Sequence, residues 1–318
     1  MISRRSFTGG MALALVTQPV KAQARPLNVV TTTAMLADAV RTLSGDRVRV
    51  EGLMGEGVDP HLYRPSRADI ARLTQADLII AHGLGLEAQF RDTFVQIGRQ
   101  KPVVFAAEAV PKDRLLKDEE VADKPDPHVW MDPSLWAVVV QAVAGALSTR
   151  APQGRTEASP RITEALAEMT ALSGYARDVL TSVPPDRRVL VTAHDAFGYL
   201  ARAYGFTVKG IQGLSTESEA GLKTIEATVD MVVNQRIPAI FVESSVSDRN
   251  IKAVVEGAAR RGHRVAVGAE LFSDAMGKPG SYEGTYLGMI DHNVTAIARA
   301  LGGMAPARGR LGRLTAPL

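Results

Sequence analysis

The chain has 318 residues, 46% of them hydrophobic and 22% charged, which is apolar material for two medium-sized cores. The net charge of +3 is dispersed and aromatic residues make up only 5%, which excludes a nucleic-acid partner. Cysteine is absent, which excludes disulfides, thiolate metal sites and a cysteine nucleophile.

The first stretch reads as an address. Arg4 and Arg5 precede the short apolar run MALALV, and Ala22-Gln23-Ala24 has the form of a cleavage site. This predicts a signal peptide over 1–24, of the twin-arginine type, and a mature chain from Arg25. The run is too short to span a bilayer. With no cysteine to carry a lipid, the expectation is a periplasmic protein without a lipid anchor.

Strands are expected over 27–33, 48–54, 78–83 and 103–107, alternating with helices over 34–45, 66–76 and 86–98. Such alternation implies a parallel sheet covered on both faces. Over 159–183 the residues Ile162, Leu166, Met169, Leu172, Ala176, Val179 and Leu180 follow helical spacing. Ser159 is placed as its N-cap, Pro160 in its first turn, and Pro184-Pro185 at its end. A helix of about 24 residues is about 36 Å long, the width of a small domain. Strands then resume over 188–194, 207–213, 239–244 and 264–271, with helices between them and a last helix from Tyr286. The basic segment from Met304 is expected to fray. The fold class is therefore α/β, two parallel-sheet lobes of about four strands each joined by one long rigid helix. The expected division is a signal peptide 1–24, a first lobe 25–155, a linking helix 156–184, a second lobe 185–303 and a basic tail 304–318.

Open parallel sheets bind ligands beyond the carboxyl ends of their strands. His61 follows the second strand, His194 ends the first strand of the second half, Asp274 lies past the last strand, and His128 sits in a loop ahead of a helix. Asp59-Pro60-His61 and Asp126-Pro127-His128 share one local form. Proline fixes the backbone before the imidazole, and a nearby carboxylate can orient the ring. Three imidazoles and a carboxylate suit zinc or manganese. Each residue also has a plainer role: a loop histidine can be structural, Asp59, Asp126 and Asp132 can be turn formers, and Asp274 can cap a helix. His82, lacking a carboxylate close in sequence, His263 and His292 fit such roles better, and Glu243 is read as a group that fixes a ligand loop.

The motifs DPHLYRPS, ADLIIAHGLGLE, DPHVWMDP, VTAHDAFGYLARAYG, IQGLSTESE and LFSDAMG with GSYEGTYLGMIDHN together resemble the zinc- and manganese-binding solute-binding proteins of ABC importers, over residues 27–302. The resemblance implies two α/β lobes on a rigid helix with one metal between them. It implies His61 and His128 as ligands from the first lobe, and His194 and Asp274 from the second. It also implies a monomer that delivers its metal to a membrane permease with a cytoplasmic ATPase, and no enzymatic activity. His194 stands where many manganese-type members have glutamate, which favours zinc. The stretch before His128 is short and holds no histidine, unlike the long loop of dedicated zinc importers, which keeps manganese as the second choice. The competing reading is a periplasmic zinc hydrolase built on the same residues, with Asp195 or Glu243 as its acid. No HExxH motif is present to support it.

Overall fold

The computed structural model describes residues 25–118, 123–150 and 155–316, so the expected signal peptide and its arginine pair lie outside the described residues. Strands β1 (Leu27–Thr31), β2 (Val48–Gly52), β3 (Leu78–Ala81) and β4 (Val103–Phe105) form one parallel sheet in the order β2-β1-β3-β4. Helices α1 (Ala34–Ser44), α2 (Arg67–Gln75) and α3 (Arg91–Gly98) connect them. The first two start from local chemistry that the sequence carries. The Thr33 hydroxyl accepts the Leu36 N–H to cap α1, and Ser66 with Asp69 forms a capping box for α2.

The expected helix over 86–98 loses its first five residues. Gly83, Leu84 and Gly85 all adopt positive φ, and the buried Glu87 carboxylate folds back to accept the His82 N–H (2.7 Å), the Gly83 N–H (3.0 Å) and the Thr32 hydroxyl (2.5 Å). These bonds hold a turn where a helix would need the backbone straight. A carboxylate therefore does lie beside His82, contrary to the sequence reading, although it meets the backbone and not the ring.

In the second lobe β5 (Val189–His194) pairs parallel with β6 (Thr207–Gln212), and β7 (Ala239–Ile240) pairs parallel with β8 (Ala266–Val267). The Phe241 N–H donates to the Val191 carbonyl at 2.9 Å, which sets β7 beside β5. The second lobe thus holds two two-stranded sheets, β6-β5 and β7-β8, laid side by side in an arrangement that parallels the four-stranded sheet of the first. The last two strands are shorter than expected, because their pairing lapses after Val267 and resumes only where the Leu271 N–H meets the Val242 carbonyl (2.9 Å). The interruption lies just upstream of Asp274. Helices α6 (Gly198–Tyr204), α7 (Leu222–Asn234) and α8 (Arg249–Arg260) complete the lobe, and α9 (Tyr286–Ala300) closes it.

Two long helices, α4 (Pro133–Arg150) and α5 (Arg155–Thr181), run between the halves. The start of α5 differs from expectation: Arg155, Glu157 and Ala158 favour helix and extend it upstream, so Pro160 stands inside the helix and not in its first turn. One cluster of buried side chains passes through both lobes. It joins Leu36, Trp130 and Trp136 to Met169, Leu172, Ala176 and Leu180 of α5, and these to Phe197, Tyr199, Ile290 and Ile297. Smaller clusters, one around Val30, Ile79 and Phe90 and one around Val191, Val232 and Val254, cover the opposite sheet faces.

Through residue 316 the C-terminal segment does not fray. Leu314 is fully buried, the Arg310 guanidinium pairs with Glu168, and the Thr315 N–H and hydroxyl both meet the Glu283 carboxylate. Composition pointed to a loose tail, but one apolar anchor and these polar contacts hold it.

Candidate metal centre

His61 follows β2, His128 opens the short turn before α4, His194 is the last residue of β5, and Asp274 lies beyond the Glu243–Leu271 bridge. The parallel topology brings these chain positions to facing ends of the two sheets. His128 and His194 are fully buried, while His61 and Asp274 are 4% and 3% exposed. One donor atom from each of the four lies within 4.8 Å of the others, a grouping that unites the four residues read from the sequence.

The distances describe the shape. His61 Nε2 is 3.3 Å from His128 Nε2. Asp274 Oδ2 is 3.2 Å from His194 Nε2 and 3.8 Å from His61 Nε2, and Asp274 Oδ1 is 3.5 Å from His128 Nε2. A tetrahedral ion with ligands at about 2.0–2.1 Å has ligand–ligand edges of about 3.3 Å. The shortest of these separations match that edge, and the whole group stays within 4.8 Å, wider than a closed shell but close enough for an ion to draw it together. Atoms of the group also lack other partners: among the described residues, His194 Nε2 and both Asp274 oxygens are buried without an aligned hydrogen bond. Buried polar atoms left this way are costly, and a cation between them removes the cost.

The surrounding residues fix the far side of each ring. Glu243 accepts both the His194 backbone N–H (2.8 Å) and its Nδ1–H (2.5 Å), which turns Nε2 toward the centre. Asp126 does the same for His128, at 2.8 Å for the backbone and 2.7 Å for Nδ1. The first Asp-Pro-His behaves differently. Asp59 accepts only the His61 backbone N–H (2.8 Å), and its other oxygen accepts the Thr216 hydroxyl (2.5 Å) from the opposite lobe. Gly210 lets β6 pass beside the residue after His194, since a Cβ there would fall 2.4 Å from the Asp195 nitrogen. Asp274 is not a helix cap, because Thr285 caps α9 eleven residues later.

Of the remaining histidines, His82 donates from Nε2 to the Pro127 carbonyl (2.7 Å), His263 to Ile237 (2.9 Å) and His292 to Glu270 (2.8 Å). None joins the centre. Several residues that hold it were not singled out in the sequence. Tyr199 donates to the Asp126 carbonyl (2.7 Å), the Trp130 indole donates to the Ser273 carbonyl (2.8 Å), and Asn293 clamps both backbone groups of Phe272. Each lies in or beside a motif already noted, but a bond to a backbone atom far away in sequence leaves no local trace.

Electrostatics separate the four residues. Burial pushes the His61 imidazole down to about 3. Burial also works against a charge on His194, but the Glu243 and Asp274 carboxylates outweigh it and raise His194 well above its ordinary value. Burial likewise opposes the Asp274 carboxylate, yet His194, His128 and His61 hold it well below the usual carboxylate range.

The family model described as zinc-uptake complex component A, periplasmic (ZnuA), matches residues 29–300. The chain is 43% identical to the manganese-binding lipoprotein MntA of Bacillus subtilis over 281 residues, 88% of this chain and 92% of that protein. It is also 43% identical to the zinc-binding protein TroA of Treponema pallidum, over 92% of this chain and 94% of that one. The solved structure of TroA superimposes with a TM-score of 0.85 at 44% identity, covering 87% of this chain and 99% of TroA. These names overturn one expectation. MntA, and at 28% and 27% identity FimA of Streptococcus parasanguinis and PsaA of Streptococcus pneumoniae, are named lipoproteins, against a protein without a lipid anchor. That expectation rested on the absence of cysteine alone, a property of composition and not of the site or fold that these proteins share. With the match spanning both lobes and every residue of the centre, the chain belongs to the ZnuA family of zinc-uptake complex components.

Proposed function

We propose that this chain captures one divalent transition-metal ion between its lobes and passes it to an ABC permease driven by a cytoplasmic ATPase. The ion is held by His61 and His128 from the first lobe and His194 and Asp274 from the second. The observation that carries this reading is the convergence of four buried donors within 4.8 Å of one another, with the outward nitrogens of His128 and His194 already bonded to Asp126 and Glu243. Relatives of equal identity are named for zinc and for manganese, so the preference for zinc rests on the donor set. Three imidazoles and one carboxylate suit zinc, and zinc stands above manganese in the general affinity order. Four protein donors leave no position for an activated water, which supports transport over hydrolysis. All four come from one copy of the chain, which supports a monomer. We read the chain as a first lobe 25–155, a linking helix 156–184, a second lobe 185–303 and the segment 304–318.

Zinc titration of the purified protein tests the ligand set. One equivalent is expected to bind tightly, and His61→Ala and Asp274→Ala are each expected to weaken binding on the order of 100-fold. Undiminished binding in both variants would overturn it.

A further inference from the structure

The family match ends at residue 300, and the described chain continues to 316. The continuation returns to the protein and lies against one particular loop. That loop, 275–285, begins immediately after Asp274 and ends at the Thr285 cap of α9.

The loop is closed on itself. The Gly277 N–H donates to the Glu283 carbonyl (2.9 Å), the Ser281 N–H to Lys278 (3.1 Å) and the Thr285 N–H to Tyr282 (3.0 Å). Asp274 is thus three residues from a point pinned to Glu283. Both carboxylate oxygens of Glu283 are in turn held by the C-terminal segment, one by the Thr315 N–H (2.6 Å) and one by its hydroxyl (2.7 Å). The Arg313 guanidinium lies 4.7 Å over the Tyr282 ring. The Tyr282 hydroxyl donates to Asp291 (3.1 Å), and the same carboxylate accepts the Arg310 N–H at 2.9 and 3.0 Å. Gly309 allows this approach: its φ is 72°, and a Cβ there would meet the Asp291 oxygens at 2.5 Å. Leu314 is buried between these polar contacts.

The other three ligands have no such attachment. His61 and His128 sit in proline-fixed turns, and His194 belongs to a strand. Asp274 alone is carried by a loop whose outer side is finished by residues beyond the family match. We propose that residues 305–316 act as a positioning strap for Asp274, slowing release of the bound metal by holding the 275–285 loop in place. The strap acts on the loop through Glu283, Tyr282 and Asp291, and Arg310 anchors it in turn to Glu168 of α5. The proposal rests on the metal-capture reading above.

The experiment compares zinc release from the full-length chain, from a chain ending at Met304 and from the Glu283→Gln variant. Each is loaded with one equivalent of zinc and mixed with excess chelating dye in a stopped-flow instrument. Both altered proteins are expected to release zinc about tenfold faster than the full-length chain, with zinc association unchanged. A purely structural role would lower the melting temperature of the metal-free protein and leave the release rate alone. Release within twofold of the full-length rate in a folded truncated chain overturns the proposal. Should that chain not fold, unchanged release from Glu283→Gln overturns it. Failure of the full-length chain to bind zinc overturns the capture reading as well, which distinguishes the two failures.

Discussion

At the scale of single residues, the centre divides its work between atoms that face one another and atoms that face the protein. His194 shows the division most sharply. Its Nδ1–H is committed to Glu243, and its Nε2 points at Asp274. Between two carboxylates the ring is held well above the ordinary histidine value, which favours its protonated form when no metal is bound. His61, at about 3, favours its neutral form. Zinc must displace the proton on His194 before it can bind. Affinity should therefore rise with pH through the neutral range and flatten only above the raised pKa of His194, while the low values of His61 and Asp274 place their competition far below it. Calorimetric titration at pH 7 in two buffers of different ionisation enthalpy should show about one proton released per zinc. Equal heats in both buffers would contradict the assignment. The four residues that cluster at the centre carry a local pattern in the sequence, as proline-flanked histidines and residues at strand ends. The difference between the two Asp-Pro-His turns was not legible there, since Asp59 is drawn away by Thr216, 157 residues on.

At the scale of elements, the ligand loops are set by helices of the opposite lobe. Tyr199 of α6 places its hydroxyl between the Asp126 carbonyl and the Leu116 N–H, at 2.7 and 3.0 Å, and so fixes the backbone just before His128. The Tyr199→Phe variant removes one oxygen and leaves both backbone groups without that partner. It should cost about 1–3 kcal/mol in stability, read by urea unfolding of the metal-free protein, and should weaken zinc binding as the His128 loop loosens. A variant with wild-type stability and zinc affinity would show that the bond is idle. Element type and order were readable from hydrophobic periodicity, since alternating runs and helical stripes are local properties. Element ends were less so. The first turn expected of α3 is taken over by the Glu87 carboxylate, and the last strands shorten where their pairing lapses near Asp274. The Glu87 bonds reach across to the Thr32 hydroxyl, 55 residues away in sequence, a tertiary contact that periodicity does not register. The C-terminal segment makes the same point in reverse: a polar, glycine-bearing stretch became ordered because Glu283, Asp291 and Glu168 wait for it.

At the scale of the whole molecule, the lobes are not independent bodies on a flexible link. One continuous core passes from Trp130 and Trp136 through α5 to Ile290 and Ile297. Polar bonds cross the same boundary at Thr216–Asp59 (2.5 Å), Gln89–Glu217 (2.7 Å), Trp130–Ser273 (2.8 Å) and Tyr286–Trp130 (2.9 Å). Neither lobe can expose its half of that core without removing the other's support. The metal-free chain should accordingly unfold in one calorimetric transition despite its size, with calorimetric and van't Hoff enthalpies in agreement. On the proposed reading zinc would tie two residues from each lobe and bind only the assembled form. At a free concentration 1,000 times the dissociation constant it should add about 4 kcal/mol, moving the single midpoint up by several degrees without splitting it. Two resolved transitions in the metal-free protein, with zinc shifting only one of them, would mean that the lobes fold separately. The site would then be assembled by docking of the lobes, and α5 would be a tether in place of a shared core.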